Sequence, residues 1–399
     1  MKISKFLAFC IIHCLYPFSF VFPRNRKKWA FGSFRGAFND NAKYLFIQCC
    51  EEALELNCAW LSMNKDTIRF IRSRNLQAYH TLSPRGIWFA LTAKYWFFNA
   101  YTSDIMYCFS GNAVCVNLWH GLTMKRIEFG IKSGPLAERF VKQTLKERFY
   151  NPETFRQPDY MLSSAPFQSD IFARSFRIPI EKCLEFGYPR NFPLTSNSET
   201  LRKFIATYET QETEALIEKI AQYKRTFIYM PTWRDSQKNI FSQSMNLHDL
   251  DSLLQSKNEL MLMKPHANTV IDESQCQQFS NIVFISNTVD VYPILPFVDV
   301  LITDYSSILY DVILMDNKGV ILYVYDFNEY ETERSFEIPF DENTVGKKVT
   351  NFEELLRAIS EEDYQVDEQK RQALIKKFWG QKNSNPTKKI LETFCDSRQ

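Results

Sequence analysis

The chain has 399 residues, 45% apolar and 24% charged, with Phe 35, Tyr 19 and Trp 7, enough for two domains and their cores. Only 11 Gly and 16 Pro accompany them, which excludes a disordered, collagenous or coiled-coil protein. The net charge of +2 hides a split: residues 1–150 hold 21 Lys/Arg against 9 Asp/Glu, so the first part is expected to face something anionic.

Residues 6–22, FLAFCIIHCLYPFSFVF, form an apolar run flanked by Lys2 and Lys5 before and by Arg24, Arg26, Lys27 and Lys28 after. No small-residue cleavage site follows. His13 and Pro17 interrupt a run already shorter than the ~20 residues a membrane span needs. The segment 1–23 is therefore expected to lie on an anionic leaflet, apolar stem in lipid and basic residues on headgroups. That makes the protein peripheral at the cytoplasmic face of the membrane. A core helix or a true span are the alternatives.

From residue 28 the pattern alternates between apolar strands and helical periodicity. A strand at 28–34 is followed by a helix over 41–56, a strand at 58–63 and a helix over 65–74. Another helix is predicted over 84–98, then a buried strand at 113–119. Residues 135–150, PLAERFVKQTLKERFY, have helical spacing with a basic face, a second membrane-surface candidate. A strand at 159–165, a helix over 167–176 and a strand at 183–187 close the first series. After a polar stretch at 194–213, strands are predicted at 226–233, 259–264, 281–286, 299–303 and 319–325, with a helix over 307–316. Residues 351–396 read as helical and polar. Such continuous apolar strands imply parallel sheets covered on both faces, with ligands at the strand carboxyl ends. The expected architecture is α/β with two Rossmann-like doubly wound domains, 24–195 and 196–399. The ten cysteines are scattered without a CxxC pair, which points to a reducing compartment and no thiol–metal site.

Four clusters fall at strand carboxyl ends: Trp119-His120-Gly121, then 231–235 (PTWRD), Lys264-Pro265-His266, and 303–307 (TDYSS). Two of the five histidines lie there. A neutral imidazole near pH 7 suits a general base. Arg234 can offer a planar fork to phosphate. Ser306 and Ser307 precede a helix, where a serine is either an N-cap or a donor to an anion.

WHG followed by Lys125, GYPRN (187–191), PTWRD, KPH and TDYSS with Asp311 downstream occur in order. This set resembles the CDP-glycerol glycerophosphotransferases, the teichoic acid primase and polymerase family with its capsule-building relatives, over roughly residues 28–390. The resemblance implies a GT-B-like pair of domains and transfer of a polyol phosphate, glycerol phosphate foremost, from a CDP-linked donor to a glycan or lipid-linked acceptor, releasing CMP. It assigns His120 as the catalytic base and His266 to the pyrophosphate or the leaving group. Arg234, Lys264, Thr303, Ser306, Ser307 and Asp311 fall to the donor, Asp311 with a ribose hydroxyl in reach. Gly121, Lys125 and Arg190 fall to the acceptor side. No DxD or clustered carboxylate set suggests a metal, and no bound cofactor is expected beyond the CDP-linked substrate. A nucleotide-sugar glycosyltransferase of the same fold is the alternative enzyme, and a non-catalytic glycan- or membrane-binding relative the alternative class. Nucleic acid is not expected as a partner, because basic–aromatic stacking runs are few.

Overall fold

The computed structural model describes residues 3–134, 136–232, 244–264, 278–334, 336–380 and 385–395. The chain divides into two compact units, the first built from residues up to 120, 127–192 and the C-terminal helix, the second from 121–126 and 193–378.

The first unit contains seven strands: β1 (Asn25–Gly32), β2 (Asn57–Ser62), β3 (Ala78–His80), β4 (Ala93–Phe98), β5 (Val114–Asn117), β6 (Tyr160–Ser163) and β7 (Cys183–Glu185). They pair in the order β3-β2-β1-β4-β5-β6-β7, all parallel. The chain winds one way from β1 and the other way from β4, so a crevice opens at the carboxyl ends of these two strands. Trp29, Phe31, Trp60, Trp96 and Phe97 are all fully buried, as expected for a sheet covered on both faces. The helix Pro386–Cys395 completes this core, with Phe394 against the rings of Trp29, Tyr95 and Phe97.

The second unit carries β8 (Arg225–Met230), β9 (Glu259–Met263), β10 (Ile282–Phe284), β11 (Val300–Thr303), β12 (Gly319–Tyr323) and β13 (Lys347–Val349). Their order is β10-β9-β8-β11-β12-β13, again all parallel. The winding reverses between β8 and β11, which sets the loops after those strands, 231–232 and 304–307, side by side.

Several expectations change. The helix over 84–98 stops at Thr92, and its aromatic end, Ala93–Phe98, is the central strand β4. Ser83 caps the helix through the N–H of Gly86, but no turn residue marks its end, and an apolar run alone does not separate buried strand from buried helix. The polar stretch 194–213 holds the helix Ser198–Tyr208 and the start of a second, Gln211–Ile220, capped by Asn197 and Thr210. The helix over 135–150 is broken. A π-turn at Glu138–Lys142 ends at Gln143 with φ of 49°, and a short helix, Leu145–Tyr150, follows.

No helix among the described residues is long and apolar enough to cross a membrane. The N-terminal run instead forms α1 (Ile3–Phe18), and one side of it docks on the first unit. His13 Nε2 lies 2.9 Å from the carbonyl of Phe149, the Tyr16 ring stacks on Tyr107 at 4.6 Å, and the hydroxyl of Ser19 accepts the Gly111 N–H at 2.9 Å. The other side keeps Leu7, Ile11, Leu15 and Phe18 exposed along one stripe.

Candidate functional site

In the first unit, the candidate base is set by its backbone. Trp119 adopts φ of 54°, a left-handed conformation rare for an aromatic residue, and such strain persists only where the surroundings fix it. They do so here: Trp119 is buried against Phe172 and Phe176, and its N–H donates to Asn117 Oδ1 at 2.9 Å. The amide of Asn41, at the start of α2 (Asp40–Glu52), donates to the carbonyls of Leu118 and Trp119 at 3.2 and 3.0 Å. His120 is thereby turned outward while its neighbour is buried.

His120 Nδ1 lies 3.1 Å from the carbonyl oxygen of Asn99. A carbonyl can only accept, so Nδ1 carries the hydrogen and Nε2 keeps its lone pair. The ring is exposed by surface area yet stands in a crowded surround. Burial is the largest influence and lowers its pKa; Asp40 and the Asn99 bond oppose it, and Arg190 adds a smaller lowering. The result is a neutral imidazole at pH 7 with a free Nε2, the form a general base needs.

Arg190, expected on the acceptor side, is only 2% exposed. Its guanidinium pairs with Asp40 at 3.0 Å and its N–H donates to Asn41 Oδ1 at 3.2 Å. It therefore holds the start of α2 and, through Asn41, the His120 turn. Asp40 itself sits at φ of 59°.

In the second unit, Asp304 organises the site. It is fully buried, and its carboxylate accepts the Thr232 N–H at 2.9 and 3.0 Å and the Tyr305 N–H at 2.5 Å. The loop after β8 is thus pinned to the turn after β11. Thr303, expected at the donor, spends its hydroxyl on the Met230 carbonyl at 2.8 Å and ties the same two strands. Ser306 and Ser307 lie beyond, half-buried. The Ser307 side chain makes no capping bond to the helix Ile308–Val312, and Ser306 Oγ only grazes the Ile308 N–H at 3.5 Å. That helix has five residues rather than the ten expected, so its dipole is small, and an anion here would rely on hydroxyl and N–H donors.

Lys125 joins this cluster. Its Nζ is 3.5 Å from Thr232 Oγ1 and 5.0 Å from the centre of the Tyr330 ring, which stacks on Tyr305 at 4.1 Å. Residues 121–126, with Gly121 and Lys125 among them, group with the second unit. Lys264 is elsewhere: its Nζ donates to the carbonyls of Ser286 and Val289 at 2.5 and 2.9 Å, and burial lowers its pKa to about 8. Asp311, expected at a ribose hydroxyl, is 1% exposed and accepts from Tyr292 Oη at 3.0 Å. Arg234 and His266 lie outside the described residues. Among the described residues, no group of three or more His, Cys, Asp or Glu is placed to hold a metal ion.

Sequence reading missed Asp40, Asn99 and Asp304. For the last two the signal was a polar residue directly after an apolar strand. It was visible for Asp304 within TDYSS, and hidden for Asn99 because β4 read as helix.

Two doubly wound parallel units, one offering a tautomer-fixed histidine and the other a hydroxyl-lined turn, define the frame of a two-unit transferase. The family model for CDP-glycerol:poly(glycerophosphate) glycerophosphotransferases matches residues 14–395, and the chain belongs to that family. It is 25% identical over 378 residues to the teichoic acid glycerol-phosphate transferase of Staphylococcus aureus (strain NCTC 8325 / PS 47), covering 92% of this chain and 93% of that one. It is also 25% identical to the teichoic acid poly(glycerol phosphate) polymerase of Bacillus spizizenii, over 93% of this chain and 92% of the relative. Among solved structures, the wall teichoic acid polymerase TagF, soaked with CDPG, shares the fold with a TM-score of 0.75 at 22% identity, covering 94% of this chain and 89% of that one.

Proposed function

We propose that this protein transfers glycerol phosphate from CDP-glycerol to a hydroxyl of a teichoic-acid-like or other glycan acceptor, releasing CMP. In the reaction the acceptor oxygen attacks the phosphorus that bears glycerol. A new P–O bond forms, the P–O bond to CMP breaks, and His120 Nε2 takes the acceptor proton. The observation that carries this reading is the His120 geometry: a hydrogen bond to the Asn99 carbonyl commits Nδ1 and leaves Nε2 basic. The family and its named relatives support the substrate class.

In this reading Ser306, Ser307 and Lys125 receive the pyrophosphate of the donor, with Arg234 and His266 as further ligands. Charge-assisted bonds of hydroxyl, ammonium and guanidinium groups to phosphate oxygens are the strong kind. The protein works against the cytoplasmic face of a membrane, resting on the apolar stripe of α1. The deciding experiment incubates the purified chain with CDP-glycerol, CDP-ribitol or UDP-sugars and a polyol-phosphate or lipid-linked acceptor, and follows CMP and product mass. CMP release from CDP-glycerol is expected. Turnover of a UDP-sugar alone would replace the reading with a glycosyltransferase.

A further inference from the structure

Asp104 is a carboxyl only 8% exposed on the turn after β4, and it is not used by the function above. Its Oδ2 accepts the N–H groups of Asn99 and Ala100 at 3.1 and 2.8 Å, and the Tyr101 N–H adds a third bond to the carboxylate. The Asp104 N–H in turn donates to the Tyr101 carbonyl at 2.9 Å, closing the turn. The Ala100 N–H belongs to the same planar peptide as the Asn99 carbonyl. In a trans peptide these two groups point in opposite directions. Fixing the N–H on one side therefore aims the carbonyl on the other, and that carbonyl is the one 3.1 Å from His120 Nδ1.

We propose that Asp104 is a positioning residue for His120, acting through the Asn99–Ala100 peptide as a carboxylate–peptide–imidazole relay. The carboxylate orients the peptide and polarises it, since hydrogen bonds in series strengthen one another. A more negative carbonyl holds Nδ1–H more firmly, keeps the imidazole in one tautomer and plane, and steadies the cation formed when Nε2 accepts a proton. Nothing is transferred to Asp104. Burial pushes this carboxyl up to about 7, while its three N–H bonds pull the other way. Other ties leave the Asn99 peptide little freedom to compensate by shifting as a whole. The Asn99 side chain is fixed at both ends, donating to Ser33 Oγ at 2.8 Å and accepting the Ala42 N–H at 3.0 Å. Asn117 Nδ2 donates to the Ala100 carbonyl at 2.8 Å.

The proposal rests on His120 being the base, and its test separates the two. CMP release from CDP-glycerol and CDP affinity by calorimetry are measured for Asp104→Ala, Asp104→Asn, His120→Ala and the double variant Asp104→Ala/His120→Ala. Misplacing a catalytic group by about 1 Å costs on the order of 100-fold. Asp104→Ala is therefore expected to lower kcat by roughly 10–100-fold, with KM for CDP-glycerol and CDP affinity within about twofold. Asp104→Asn, which keeps one acceptor oxygen for Ala100, should recover part of the loss. The double variant should be no slower than His120→Ala, because groups acting as a unit are not additive. Wild-type turnover in Asp104→Ala, or losses that multiply in the double variant, overturns the relay while leaving the base in place. Unchanged turnover in His120→Ala overturns both. If Asp104→Ala does not fold, Asp104→Asn carries the test. A several-fold kcat loss that vanishes in the His120→Ala background is then expected, and a loss that persists there refutes the proposal.

Discussion

Replacing Ser306 and Ser307 by alanine together separates a capping role from a ligand-binding one. Ser307 makes no side-chain capping bond, and the 3.5 Å contact from Ser306 Oγ to the Ile308 N–H is at the outer limit of a hydrogen bond. A well-formed cap is worth about 1 kcal/mol, so the folded state should lose less than that. A hydroxyl bonded to a charged phosphate contributes about 1.5–3 kcal/mol, which is roughly 10–100-fold in affinity. Titration calorimetry with CDP and CDP-glycerol, beside a thermal melt, reads both quantities. The expected result is a dissociation constant raised at least tenfold with little change in Tm. An unchanged CDP affinity with a clearly lowered Tm would refute the reasoning and return both serines to the helix end.

His120→Ala is expected to lower CMP release by about 10²–10⁴-fold, the range for removing a general base, while calorimetry still finds near-normal CDP affinity. Equal loss of binding and turnover would make His120 a structural residue. Glu128, which accepts from Tyr101 Oη at 2.7 Å, has its carboxyl pushed up to about 7, chiefly by burial. Between about 4.5 and 7 the unfolded chain releases a proton that the folded chain keeps, so stability falls as pH rises through that window. Glu128→Gln should therefore flatten the pH dependence of the denaturant midpoint between pH 5 and 7. Asp104, also pushed up to about 7, keeps some slope in place, and an undiminished slope would count against the Glu128 assignment.

The fold was largely legible because parallel strands buried on both faces read as apolar runs. Residues 113–119, 159–165, 259–264 and 299–303 all announced themselves this way, and each became a strand. The exception is instructive. Residues 84–98 contain a helix and the central strand β4 with no turn residue between them, so period alone merged them. That merger hid the turn at 99–104, and with it Asn99 and Asp104. Site roles were less legible than site positions. WHG and TDYSS were placed correctly at strand ends, but which atoms remain open to a ligand depends on partners distant in sequence. Arg190 meets Asp40 and Asp311 meets Tyr292. A residue type at a strand end says what chemistry is available there, and only the tertiary partners say whether that chemistry is already spent.

The same distinction bears on the proposed attachment to a membrane. The excess of Lys and Arg in residues 1–150 overstates the charge presented to lipid. The Arg24 guanidinium, which flanks the apolar run in sequence, turns inward to the carbonyls of Ala90, Ala93, Phe109 and Gly111. Arg139 is paired with Glu147 at 2.8 Å. Each basic residue near an anionic surface adds roughly 1 kcal/mol, and those engaged inward add little of it. The apolar stripe is not spent: Leu7, Ile11, Leu15 and Phe18 remain 53%, 57%, 40% and 66% exposed. Burying such a side chain fully is worth about 1.5–3 kcal/mol, so the exposed fractions of the four together supply roughly 3–6 kcal/mol that salt does not screen. Vesicles containing anionic lipid should therefore retain most of the protein in 1 M salt, where electrostatic attraction reaches only about 3 Å. Leu7→Ser, Ile11→Ser and Leu15→Ser combined should release it at low salt. Complete release of the parent by salt, with the triple variant binding as well as the parent at low salt, would show that charge and not the α1 stripe holds the protein there.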